Sequence, residues 1–297
     1  MRITQKTLFD SFMRDIQTNR RQMGKVQSDL SSGRRVRFAS QGPVAFEQSR
    51  VIESNIRKEE QYQRNISSGL RQARLAQEAI DQGLDQLIEV KQIGIKGLSE
   101  SSGPDVRENL ARQVSGLRDN LVDTLNVSYG DRYLLAGTAS DERPFEITGT
   151  GPGGVEMKGN GVAPKVAAGD GVSVEISIDT DSLRGTPGGD LFEILSGAEQ
   201  ALNDNDTDAL RLRMEEVDQA IDHIADLGSR LGTRVNQLDH LYETYSSSTI
   251  LQESDVSELV DTDYAESFSE LQRIQIAYES AMAVHSSMTK VTLLDFI

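Results

Sequence analysis

The sequence predicts a mainly α-helical protein with a small inserted β domain, its N- and C-terminal parts forming a long antiparallel coiled-coil-like bundle. Three observations carry this. Apolar residues recur every three or four positions through both ends of the 297-residue chain. That pattern breaks in the middle, where residues 137–197 hold 13 of the 25 glycines. Trp is absent and aromatics make up 5% of the chain, so aliphatic side chains and alanine must build thin helical seams rather than one thick core.

In the first segment Leu8, Phe12, Ile16, Asn19, Met23, Val26 and Leu30 form a heptad-like seam with Asn19 as its polar interruption. Ser31-Ser32-Gly33 reads as a helix stop, with glycine available for a left-handed cap. Arg34 to Pro43 reads as a turn or ordered loop. A second helix is expected from Val44 to Leu98, with Ile66, Ala73, Ile80 and Leu87 at seven-residue intervals. A break at Ser99–Pro104 precedes a third helix, Asp105–Tyr129, striped by Leu110, Val114, Leu117, Leu121 and Leu125.

Within the glycine-rich region, Arg143–Thr148 and Val172–Ile178 read as short strands; Val172, Val174, Ile176 and Ile178 alternate with Ser173, Glu175 and Ser177. Leu191–Leu202 reads as helical. The strongest periodicity follows: Leu210, Met214, Val217, Ile221, Ile224, Leu231, Val235 and Leu238 mark a rod seam within a helix over 206–249. That helix would span about 66 Å and needs a partner to be stable in water. The last helix, Tyr264–Leu294, carries Phe268, Leu271, Ile274, Tyr278, Ala281, Val284, Met288 and Val291. The chain therefore divides into terminal assembly segments 1–43 and 250–297, a helical rod of 44–136 and 198–249, and a glycine-rich β domain of 137–197.

Charge points to how the ends are used. Residues 1–37 carry nine Lys and Arg against three Asp, a balance of +6, and residues 251–297 carry nine acids against Arg273 and Lys290, a balance of −7. Opposite charge with matching apolar seams predicts side-by-side or antiparallel pairing of the two terminal helices. Exposed ion pairs contribute about 0–1 kcal/mol each and a buried large apolar side chain about 1.5–3 kcal/mol, so the seams supply affinity and the charge selects the partner. Two forms of that pairing stay open: an intramolecular hairpin, or ends that lock together on assembly.

Catalytic chemistry is not legible. The chain lacks cysteine, which excludes disulfides, thiolate catalysis and cysteine-bearing metal sites. His223, His240 and His285 stand singly on helices as ordinary surface or seam residues. Gly149 to Gly154 is glycine-rich but lacks the Lys-Ser or Lys-Thr of a phosphate loop, and reads as a turn. Asp179, Asp181 and Asp190, or Asp204, Asp206 and Asp208, lack the glycine and terminal Glu of a calcium loop; Asp206 or Thr207 is placed near a helix cap. The net charge of −16 disfavours nucleic acid and anionic membranes. No stretch has the roughly 20 apolar residues of a membrane span, and no cleavable secretion signal is visible. No enzyme activity, cofactor or metal is expected.

Met1-Arg2-Ile3-Thr4, the Leu8–Leu30 seam and Leu30-Ser31-Ser32-Gly33-Arg34-Arg35-Val36 together resemble the N-terminal region of the bacterial flagellin family, which includes filament flagellins and hook-associated subunits. Leu227-Gly228-Ser229-Arg230-Leu231-Gly232-Thr233-Arg234-Val235-Asn236-Gln237-Leu238 resembles the family's return helix. Asp261-Thr262-Asp263-Tyr264-Ala265-Glu266 and Leu271 to Tyr278 resemble its terminal helix. The opening and the ending Leu293-Leu294-Asp295-Phe296-Ile297 favour the hook-associated branch at the hook–filament junction. Filament flagellin and, outside the family, a non-exported coiled-coil adaptor are the alternative readings.

The resemblance implies a structural subunit of the extracellular flagellum, exported by the flagellar type III apparatus without a cleavable signal. It implies self-association in a ring of about eleven subunits, between the first hook-associated protein and filament flagellin. It further implies ends that order on assembly, an export chaperone on the C-terminal region and an outward-facing β domain; Leu271, Ile274, Tyr278, Ala281 and Val284 are the residues placed at both terminal contacts. The family's Asp-Asp-Pro turn is Gln41-Gly42-Pro43 here, so two acids and any ion pair they make are missing.

Overall fold

A computed structural model describes residues 5–294; the side chains of Gln5, Lys6, Leu8 and residues 287–294 lie outside the described set. Seven helices and eight short strands follow in the order α1 (Gln5–Ser32), α2 (Pro43–Gly97), α3 (Pro104–Leu125), β1 (Ser128–Tyr129), β2 (Arg132–Tyr133), β3 (Phe145–Ile147), β4 (Val155–Met157), β5 (Lys165–Gly169), β6 (Val172–Glu175), α4 (Thr180–Arg184), β7 (Gly185–Thr186), β8 (Gly189–Asp190), α5 (Leu191–Asn203), α6 (Thr207–Val260) and α7 (Tyr264–Leu294). The chain divides into two compact units: residues 1–58 with 248–297, and residues 59–247. Helices α2 and α6 contribute to both.

In the unit of residues 59–247, α2 and α6 lie antiparallel. Arg74 Nη2 meets Asp239 at 2.7 Å and Lys91 Nζ meets Asp218 at 2.6 Å. Small residues on α2 permit a close approach: a Cβ on Gly94 would fall 1.9 Å from Met214 Sδ, and one on Gly97 would fall 2.5 Å from Leu202 Cδ2. Ile66, Ala73, Ile80 and Leu87, the seven-residue stripe, are all buried. They join Val114 and Leu121 of α3, Leu195 and Leu202 of α5, and Val217 and Leu231 of α6 in one core.

The strands form four separate two-stranded antiparallel hairpins. Helix α3 stops at Leu125 rather than at the expected Tyr129. Asn126 leaves the helix to clamp the chain at Phe145: its amide donates to the Phe145 carbonyl at 2.8 Å, and its side-chain oxygen accepts from the Phe145 N–H at 3.1 Å. The expected strand Val172–Ile178 pairs only as far as Glu175. Beyond it Ile176, Ser177 and Ile178 are all buried, because the Ser177 hydroxyl donates to the Leu134 carbonyl and so satisfies its polar atom in the interior. One or two members of each acidic cluster serve as helix caps. Asp179 accepts from Ser182 N at 2.8 Å, Asp190 from Phe192 N at 3.0 Å, and Asp206 from Ala209 N at 2.9 Å. His223 meets the Ser182 carbonyl at 2.8 Å.

Arg107 is buried without a carboxylate. Its guanidinium donates to the carbonyls of Gly97 (2.8 Å) and Ser99 (3.4 Å) and to the Asn205 side chain, tying the end of α2 to the turn before α6. The negative end of the α2 dipole and three acceptors take the place of a counterion.

Candidate assembly interface

The unit of residues 1–58 and 248–297 holds both terminal helices. Helices α1 and α7 pack antiparallel: Phe12 and His285 stack with ring centroids 4.5 Å apart at 17°, and at the other end a Cβ on Gly33 would lie 2.9 Å from the Tyr264 hydroxyl. Both contacts join positions whose numbers sum to 297, and that register sets Met23 level with Ile274 and Ile16 level with Ala281.

The connections at the base of this hairpin are strapped together. Gly33 ends α1 in the left-handed region at φ 70°, which a side chain would strain. Arg35 N and Val36 N then donate to the Val260 carbonyl at 2.8 and 3.1 Å, and Thr262 N donates to the Gly33 carbonyl at 2.9 Å. Val36 is buried with Val256 and Val260, flanked by Phe46, Ile52 and Ile56. Asp263 caps α7, accepting from Ala265 N at 2.8 Å and Glu266 N at 3.0 Å. At the departure from the family turn, Gln41 Oε1 accepts from Arg37 N at 2.7 Å and Phe38 N at 3.3 Å, so a neutral amide closes the loop. Arg37 instead pairs with the buried Asp29 at 3.5 Å.

The seam residues distribute unevenly. On α1, Ile16 is buried and Phe12, Met23, Val26 and Leu30 are half-buried; the side chain of Leu8 lies outside the described residues. On α7, Ile274 is 6% exposed, with Leu271, Tyr278 and Ala281 half-buried beside it. Phe268 and Val284 are exposed, at 56% and 53%, and the side chains of Met288 and Val291 lie outside the described residues. The covered stripe of α7 thus runs Leu271, Ile274, Tyr278, Ala281, His285. Its polar last member is His285, one of the histidines expected at the surface or in a seam, while the neighbouring Val284, expected in the seam, is exposed. Of the rod seam, Leu210, Met214, Val217, Ile224, Leu231, Val235 and Leu238 are buried in the core of the other unit and Ile221 is half-buried.

Helix α7 is apolar beyond its covered stripe. Ile276 lies roughly 160° around the helix from Ile274 and is 64% exposed; Phe268 and Met282 are exposed on its flanks. A helix with apolar residues on every face belongs in a buried setting. Among the described residues the opposite charges of the two ends barely meet. Among the described residues, Arg34–Asp261 at 3.9 Å is the ion pair joining residues 1–58 to residues 248–297. Arg34 also meets Glu53, and Arg273 meets Glu270 of its own helix. The apolar seam, rather than salt bridges, holds the hairpin.

No group of three or more His, Cys, Asp and Glu able to hold a metal ion occurs among the described residues, and none of their helices is long and apolar enough to cross a membrane.

The chain is 24% identical over 312 residues to flagellar hook-associated protein 3 of Escherichia coli strain K12, covering 99% of this chain and 98% of that protein. It is 23% identical over 313 residues to the protein of the same name in Salmonella typhimurium, with the same coverage. Its fold is similar to a solved flagellar hook-associated protein of Vibrio parahaemolyticus (TM-score 0.67, 17% identity, 74% of this chain and 100% of that one). It is also similar to the flagellar junction protein FlgL of Legionella pneumophila (TM-score 0.62, 14% identity, 72% and 99%). Residues 3–140 match the bacterial flagellin N-terminal helical region and residues 214–297 the C-terminal helical region. With three-quarters of its length covered by these two regions, the chain belongs to the bacterial flagellin family.

Proposed function

We propose that this chain is the structural subunit joining the hook-associated region of the flagellum to the filament, self-associating in a ring through its terminal helical unit. The observation that carries this reading is the apolar surface of α7 left uncovered by α1: Phe268, Ile276 and Met282 are exposed in the single chain. Large exposed apolar side chains grouped on one helix mark an interaction surface. In the ring they are covered by neighbouring subunits, of its own kind laterally and of two other kinds above and below, the first hook-associated protein and filament flagellin. Heterologous contacts of this type close into rings when the rotation closes. The subunit reaches its place outside the cell through the flagellar type III apparatus, and an export chaperone covers the C-terminal helix beforehand. Residues 1–43 and 250–297 act as assembly segments, and the glycine-rich β region faces outward.

The test compares flagella from a deletion strain and its parent by electron microscopy and mass spectrometry. The expected result is hooks without attached filaments in the deletion strain, and the chain in purified parental flagella. A variant lacking residues 1–30 should retain a folded 59–247 unit and fail to restore filaments. Normal filament attachment in the deletion strain, or full function of the truncated chain, sinks the reading.

A further inference from the structure

The two units divide the charge of the chain very unequally. By sequence, residues 1–58 and 248–297 hold fourteen basic and fourteen acidic side chains, and residues 59–247 hold the whole net charge of −16. The neutral unit is only partly paired internally: Arg34, Arg37, Arg57 and Arg273 meet carboxylates within it. Arg14, Arg21 and Lys25 lie seven and four residues apart on the back of α1, all exposed, and none has a carboxylate within 4 Å among the described residues. Arg21 makes only neutral contacts, to the Gln17 carbonyl and the Thr18 hydroxyl. On the acidic side Asp255 and Glu258, about 60° apart around α6, are exposed near its C-terminal end, likewise without a cation within 4 Å among the described residues. For Glu258, in the last turn, that position is unfavourable, since the end of a helix carries partial negative charge and this turn has no basic residue to offset it.

We infer that these charges pair between copies: the basic back of α1 in one subunit docks on the Asp255–Glu258 surface of a second copy of this chain. The inference rests on the ring reading and specifies its lateral contact. Each subunit offers one basic and one acidic surface, so the contact is head-to-tail, the form that closes a ring. Like-charge encounters between two basic or two acidic surfaces are rejected, which fixes the direction of addition. The strongly acidic 59–247 units repel one another, which concentrates attraction in the neutral unit.

Charge exchange tests this in the full-length chain, produced in a strain lacking it, with attached filaments per cell as the readout. One variant carries Arg14→Glu, Arg21→Glu and Lys25→Glu. The other carries Asp255→Lys and Glu258→Lys, substitutions that suit the end of α6 and so preserve the helix. Each alone should lower attached filaments about ten-fold or more. Combining all five substitutions in one chain should restore them, and producing the two variants together should raise attached filaments above either alone. Either variant working like the parent overturns the pairing and leaves the ring reading standing. Restoration by the combined chain with no gain from the co-produced pair places the contact within one chain and also overturns it. Failure of the unaltered chain to restore filaments overturns both.

Discussion

Replacing Ile274 by alanine tests whether the terminal hairpin is held by its apolar seam. Ile274 is the most buried of the described side chains of α7 and lies level with Met23 of α1. Removing a buried Ile or Leu side chain costs about 2–5 kcal/mol when the surroundings cannot close the cavity. Here the site lies between two helices, and neighbours such as Leu271 and Tyr278 are only half-buried, so solvent and side chains can enter the gap. The low end of the range applies, about 2 kcal/mol, which is about thirty-fold in an equilibrium constant. Hydrogen exchange on the full chain reads this locally. Amides of α7 around Ile274 should exchange about thirty-fold faster in Ile274→Ala, and amides around Leu231 and Leu238, in the core of the other unit, should be unchanged. Unaltered protection in α7, or an equal loss in both units, refutes the reasoning.

Further outcomes follow from other parts of the molecule. Arg107→Met leaves the Gly97 and Ser99 carbonyls and the Asn205 side chain without their donor; urea unfolding should show a loss of about 2–4 kcal/mol, and one under about 0.5 kcal/mol contradicts the capping role. Gly97→Val drives a side chain into Leu202 and Leu210, whose methyls lie 2.5 and 3.1 Å from the added Cβ; overpacking should cost about 1–3 kcal/mol, and a stabilised protein refutes the close packing of α2. The Lys158 ammonium, 2.6 Å from Glu146, holds that carboxyl below the usual glutamate range and is itself raised. Because the folded pKa of Glu146 is depressed, its contribution is present above the ordinary glutamate pKa and fades as pH falls through the lowered value. Lys158→Met should move the Glu146 titration upward by NMR, and an unmoved titration refutes the pairing.

The helical part of this fold is legible because few forces compete there. The seven-residue stripe of Ile66, Ala73, Ile80 and Leu87 needs only one partner face, and α6 and α3 supply it. Gly33 ends α1 where a left-handed residue is required. The long helix is less well bounded: α6 continues past the expected end at Thr249 to Val260, because Val256 and Val260 begin a second packing site around Val36. The short hairpins escape sequence reading almost entirely. Their strands run two to five residues, too short for a period to register, and their positions depend on distant clamps such as Asn126 with Phe145.

The interface shows the same division. Opposite charge at the two ends is visible in the sequence, and so is their tendency to pair. Which surfaces remain open depends on side chains a turn apart. Val284 carries the apolar signal, while the covered position belongs to His285, stacked on Phe12. Ion pairing between α1 and α7 is the natural sequence expectation; the register instead turns Arg14, Arg21 and Lys25 away from α7, and among the described residues only Arg34 at the strap meets an acid of the other end.

The absence of cysteine makes one measurement direct. Ile276→Cys places a thiol on the uncovered back of α7, and Asp170→Cys places one on the exposed β5–β6 turn. Maleimide labelling of each variant is compared between the free chain and intact purified flagella. Cys at position 276 should label readily in the free chain and be protected in flagella, with position 170 labelling in both. Equal labelling of position 276 in the two states would contradict burial of the terminal helices at a subunit boundary.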